Sequence, residues 1–240
     1  MKTSTGVRRL DMLLDGGVAP GSAILVYGPP FLGKEMLARR FFVGNTSHGI
    51  PGVMLLTNAS APDVREGLLK MEPGYKAAED KGLARFVDTY TLGAGGEAKL
   101  GNAEFLDSAL DLNGITLAVN RSQQGFASAP HQVFVLDSCS TLIAYSNAQT
   151  AFRFMQTLVG RLHRSGATGI YLMDEGMHSE AEVQMFKHLM TGFIQVHEAA
   201  GRPQIRVQGL GAPVGQGWID YRFSETEFEI TGSFSAGRIR

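Results

Sequence analysis

The chain predicts an α/β fold: a mostly parallel sheet with helices on both faces and antiparallel strands added at the C-terminal edge. Three observations carry this expectation. Apolar strand-like runs alternate with helical stretches over roughly the first 190 residues. A glycine-rich turn joins the first of those strands to the next helix. The remainder of the chain changes to short β-like runs separated by polar and glycine-rich turns.

In order, residues 5–15 carry Leu10, Leu13 and Leu14 at helical spacing, stopped by Gly16-Gly17. Residues 23–27 form a short apolar strand, and residues 34–45 read as the helix that follows the glycine-rich loop. A second buried strand is expected over 53–57, a helix over about 62–71, and a third strand over 85–88. Residues 93–101 are glycine-rich and read as a mobile loop. Residues 102–124 read as largely helical, with a break at Gly114.

An apolar strand over 132–136 ends in Asp137. Residues 148–165 are an amphipathic helix with Phe152, Met155, Leu158, Val159 and Leu162 on one face. A strand over 169–173 and a helix over 179–190 follow, then β-like runs near 192–198, 204–210, 217–223 and 227–231. There is no internal repeat and no low-complexity linker, so residues 1–240 read as one domain.

Composition narrows the function class. Hydrophobic residues are 44% and charged residues 19%, ordinary for a globular protein. A net charge of −1 lacks the footprint of a protein whose main partner is nucleic acid. The single Cys139 rules out an internal disulfide and a cysteine-rich zinc site. The start Met1-Lys-Thr-Ser-Thr-Gly has no apolar signal core, and no run approaches the length of a membrane span. The expectation is a cytoplasmic protein with no membrane partner.

The chemistry-bearing segment is Gly28-Pro29-Pro30-Phe31-Leu32-Gly33-Lys34-Glu35, with Met36 after it. It meets the phosphate-loop pattern G-x-x-x-x-G-K-[ST] at Gly28, Gly33 and Lys34, and breaks it at Glu35. The loop stands between a strand and a helix, the context that gives the pattern meaning. Backbone N–H groups of residues 30–36 are expected to surround phosphates, with the positive end of the helix aimed at them and Lys34 neutralising their charge. In a working nucleotide hydrolase the last hydroxyl of the pattern ligates Mg²⁺. Here a carboxylate stands in its place. Asp137, at the carboxyl end of a central strand, takes the position from which such proteins hold Mg²⁺ through water; the bland alternative is a loop or capping Asp beside Ser138 and Ser140.

Residues 4–22 run Ser-Thr-Gly-Val-Arg-Arg-Leu-Asp-Met-Leu-Leu-Asp-Gly-Gly-Val-Ala-Pro-Gly-Ser. With the phosphate loop at the expected distance, the strand Gly52-Val-Met-Leu-Leu-Thr and the run Val133–Ser138, this resembles the RecA-superfamily ATPases of the KaiC/RadA-like type. The resemblance covers nearly the whole chain. It implies a RecA-like core that takes ATP or ADP with Mg²⁺, and assembly into rings or filaments with nucleotide at subunit interfaces.

Three departures from the family pattern bear on activity. Glu35 replaces Ser or Thr. Asn58 and Ala59 stand where the family carries its catalytic glutamates. Gly209 and Gly211 fall where a Lys-x-Arg reaches the neighbouring subunit's γ-phosphate. Loss of the glutamate removes the base that positions water, and loss of such a cation removes roughly 10³–10⁵ in rate. No catalytic residue is assigned. Asp63 and Glu66 after the second strand, and Asp174 and Glu175 after a later one, are the acids that could substitute, against a bland reading of solvated carboxylates.

His131, His163, His178, His188 and His197 show no metal-ligand spacing and read as surface or satisfied histidines. Cys139 reads as a small buried residue; Phe152, Phe154 and Met155 read as core or interface. The acidic stretch 174–182 would repel nucleic-acid phosphates, and Arg8, Arg9, Arg39, Arg40, Arg238 and Arg240 are scattered or paired. The expected function is a nucleotide-binding or pseudo-ATPase domain with weak or absent hydrolysis. It would act as a regulatory or structural subunit, self-associating or pairing with an active relative. The rivals are an active ATPase with unorthodox catalytic groups, and a recombination accessory protein that binds single-stranded DNA.

Overall fold

The computed structural model describes residues 2–126, 128–210 and 217–232. Ten strands form one sheet in the order β10-β9-β8-β7-β1-β6-β5-β2-β3-β4. They are β1 (Ala23–Gly28), β2 (Gly52–Leu56), β3 (Ala84–Asp88), β4 (Ala103–Phe105), β5 (Gln132–Asp137), β6 (Ala167–Asp174), β7 (Gly192–Ala199), β8 (Arg202–Gly209), β9 (Ile219–Phe223) and β10 (Phe228–Ile230). Strands β1 to β7 pair in parallel, and β8, β9 and β10 join in antiparallel pairs at one edge. The expected fold class therefore holds, including its antiparallel C-terminal edge.

Central strands are apolar along their whole length because both faces are covered. One core packs α2 (Lys34–Ser47), α3 (Ala61–Met71) and α4 (Tyr75–Asp80) against the sheet through residues such as Leu37, Phe41, Leu68 and Tyr75. The other packs α5 (Leu112–Gln124), α6 (Cys139–Tyr145), α7 (Ala148–Arg164) and α8 (Glu180–Lys187) through Val119, Leu142, Leu158 and Phe186. Helix α1 (Arg8–Leu13) sits against the antiparallel edge, where the Arg9 guanidinium donates to the carbonyls of Ile230 and Thr231.

Several elements differ from expectation. The helix expected over 102–124 begins at Leu112, because Asp111 caps it by accepting from the Gly114 N–H at 2.8 Å, and β4 occupies the residues before. The expected break at Gly114 is thus the helix start. Residues 93–101 are a turn followed by irregular chain. Helix α6 was not expected; the Ser138 hydroxyl caps it by accepting from the Ser140 N–H at 3.0 Å. On α7 it is Phe154 that is buried, while half-buried Phe152 meets Phe186 edge-on. Among the described residues no helix is long and apolar enough to cross a membrane.

Candidate functional site

Strand β1 delivers the chain into the loop 29–33 at the carboxyl end of the sheet, between β6 and β7. Two glycines are required there by close approach. A Cβ on Gly28 would lie 2.4 Å from a Val196 methyl, and one on Gly33 would lie 2.6 Å from the Phe223 ring. Gly33 also holds φ +75°, the left-handed conformation that begins α2. Phe31 carries φ +66° and is 89% exposed, and Pro30 is exposed beside it.

Among the described residues, no acceptor meets the backbone N–H groups of residues 31–36. Six adjacent unpaired donors at a helix N-terminus form a cradle for an oxyanion. The cradle begins one residue later than the sequence expectation, because Pro30 has no N–H. Leu32 and Met36 point into the core, so only their backbone faces a ligand.

The Lys34 ammonium is 1% exposed and is held by two carboxylates. Asp174 Oδ1 lies at 2.7 Å and Glu35 Oε1 at 3.1 Å, with the Pro29 carbonyl at 3.4 Å. Burial by itself pulls the ammonium's pKa down; the hydrogen bond it donates to Asp174 and the charge of both carboxylates outweigh it and leave the pKa raised. Position 35 therefore does more than lose a hydroxyl: it adds a carboxylate that engages Lys34.

Asp137 ends β5 and is 5% exposed. Among the described residues its carboxylate accepts no hydrogen bond. Burial, reinforced by the negative charge of Glu35 and Asp174 and offset by Arg39 and Lys34, pushes its pKa up to about 6. Thr57 ties this strand end to β2: its N–H donates to the Asp137 carbonyl at 2.7 Å and its hydroxyl accepts from the Ser138 N–H at 2.6 Å.

Of the acids considered from sequence, Asp174 is the one drawn to Lys34. The register of β1 and β6 explains this, since Gly28 and Asp174 are partners at the ends of adjacent parallel strands. A second contact fixes Asp174 from behind: its N–H donates to the Ser140 hydroxyl at 2.8 Å, and that hydroxyl lies 2.8 Å from His178 Nε2. Burial lowers the His178 pKa against the opposing pull of Glu182 and Asp174. Glu175 is exposed, Asp63 belongs to the Ser60 cap of α3, and Glu66 is exposed on that helix. Asn58 is exposed and Ala59 half-buried at the end of β2, and neither carries a carboxylate. Gly209 ends β8 with φ +77°, while Gly211, Arg238 and Arg240 lie outside the described residues.

Sequence reasoning missed two contacts from β9. The Tyr221 hydroxyl donates to the Leu32 carbonyl, and the Phe223 ring covers Gly33. No local signal marks them, because they come from about 190 residues away. Among the described residues, no group of three or more His, Cys, Asp or Glu is placed to hold a metal. The His163 Nδ1–H donates to the Gly21 carbonyl at 3.0 Å, and His197 stacks on Trp218. Cys139 is fully buried.

The comparisons with known proteins agree with this geometry. A family model described as "ATPase: KaiC" matches residues 3–207. The UPF0273 protein PH0284 of Pyrococcus horikoshii is 24% identical over 71% of this chain and 67% of its own length. The UPF0273 protein MK0039 of Methanopyrus kandleri is 30% identical over 39% of this chain and 37% of its own. The circadian clock oscillator protein KaiC of Acaryochloris marina is 27% identical over 48% of this chain, a stretch that spans 23% of that protein. In structure, a KaiC-like protein, PH0186, from Pyrococcus horikoshii superposes with a TM-score of 0.75 at 17% identity, covering 96% of this chain and 99% of that one. The fold is thus shared with a KaiC-like protein, and the chain belongs to the KaiC ATPase family.

Proposed function

We propose that residues 1–240 act as one KaiC-type domain that binds ATP or ADP at residues 28–36 and turns it over slowly or not at all. The observation that carries this reading is the grip on Lys34. A nucleotide phosphate must displace Asp174 or Glu35 from a lysine that is already fully neutralised. The unpaired N–H groups of residues 31–36 favour the phosphates, so binding survives at reduced affinity. Turnover is a separate demand, and Asn58 and Ala59 supply no carboxylate to act as base on the attacking water.

Those donors fit a nucleotide's phosphates, and the carboxylates of Asp137 and Glu35 fit a cation bound with them. Asp137 would hold Mg²⁺ through water, and Glu35 would stand where the pattern has a hydroxyl. When bound, the ion supplies charge neutralisation at the phosphates. On this reading the protein serves as a regulatory or structural subunit of a homo- or hetero-oligomer. Equilibrium binding of ATP and ADP combined with steady-state phosphate release tests it. Binding without turnover is expected; turnover at ordinary rates overturns it.

A further inference from the structure

On the side of the sheet away from α2 lies a pocket of about 490 Å³, within the size range of small-molecule sites. It opens between α8, the carboxyl end of β1 and the first half of β7. Its argument-bearing wall residues are Tyr27, His178, Glu180, Lys187, Phe193 and Arg206. Phe193 forms an aromatic floor with Tyr27, their rings 6.0 Å apart.

Two cations on this wall have no carboxylate partner among the described residues. The Lys187 ammonium rests over the Phe193 ring at 4.0 Å, and the Arg206 guanidinium rests 4.6 Å from the Trp218 centroid. Arg206 uses one nitrogen on the Gln195 side chain at 2.7 Å, while its buried Nε meets no acceptor. Aromatic faces hold cations in place without neutralising them. The opposing Glu180 is seven residues from Lys187 on α8, about 10 Å along the helix axis, and forms no ion pair with it; with Glu175 it makes the Tyr27 end of the pocket the acidic one.

We infer that this pocket is a binding site for a small oxyanion, a phosphate or a carboxylate, held by Lys187 and Arg206. It is distinct from the loop 28–36. Its wall residue His178 is also hydrogen-bonded to Ser140, whose hydroxyl accepts from the Asp174 backbone N–H, so the pocket wall is two hydrogen bonds from the backbone of the residue that grips Lys34.

Trp218 is the chain's one tryptophan and is stacked on His197 at 3.6 Å beside Arg206, so it reports on this pocket. The test is a Trp218 fluorescence titration with sodium phosphate, and separately with sodium citrate, at constant ionic strength set with chloride. The expected result is a saturable change at roughly millimolar concentration or below with at least one anion, and which anion acts identifies the class. Lys187→Gln weakens it about fivefold or more, exposed Lys70→Gln leaves it unchanged, and Lys34→Met leaves it unchanged, which separates this pocket from the phosphate loop. Circular dichroism confirms that each variant is folded. The absence of a saturable response to both anions overturns the inference, as does a response that survives Lys187→Gln or is lost in Lys34→Met.

Discussion

Replacing Asp137 by Asn removes a carboxylate that burial and two like charges hold at a pKa of about 6, against an ordinary value of 3.8. That difference is roughly two units, and each unit corresponds to about 1.36 kcal/mol, so the linkage is worth about 3 kcal/mol. The sign follows from which state holds the proton more tightly. A folded pKa above the unfolded one means that the folded protein keeps its proton between pH 4 and 6 while the unfolded chain releases it. The contribution to stability is therefore full below about pH 4 and is lost as pH rises through 6. Asn carries no charge at any pH. Urea unfolding of both proteins from pH 4 to pH 7, analysed by linear extrapolation, should show the variant gaining about 3 kcal/mol relative to the native sequence across that range. A difference that stays flat with pH refutes the reasoning, because it means Asp137 is solvated or paired in the folded state.

Two further outcomes follow from the loop. Asp174→Asn or Glu35→Thr removes one of the two carboxylates on Lys34, and ATP affinity measured by calorimetry should rise about fivefold, roughly 1 kcal/mol; unchanged affinity in both would show that the ammonium is not sequestered. Gly33→Ala forces a Cβ into the Phe223 ring at φ +75° and should cost about 2 kcal/mol in thermal unfolding, of which Phe223→Ala in the same chain recovers the clash but not the backbone strain.

The architecture was legible because its signals are local and repeated. Continuous apolar runs at β1, β2, β5 and β6 predict strands covered on both faces, and the Gly28–Lys34 spacing places the loop between strand and helix. Short elements escaped. Tyr75–Asp80 and Cys139–Tyr145 are six and seven residues long, too short to establish a period, and rest on a cap or a packed face. The identity of the loop was readable, but its chemical state was not. Asp174 is 140 positions from Lys34 and meets it through strand register, and Tyr221 and Phe223 arrive through antiparallel pairing at the far end of the chain. Sequence pattern marked Glu35 as an anomaly; only the fold makes it one of two carboxylates on a single buried lysine.

The proposed function requires that this loop hold nucleotide without turning it over efficiently. Steady-state phosphate release from ATP by the purified protein, with Mg²⁺ present and Lys34→Ala as the control, measures it most directly. The expected rate is far below about 1 s⁻¹, the low end for ordinary enzymes, at nucleotide concentrations that saturate binding. Turnover on the order of 1 s⁻¹ or above, abolished by Lys34→Ala, would contradict it.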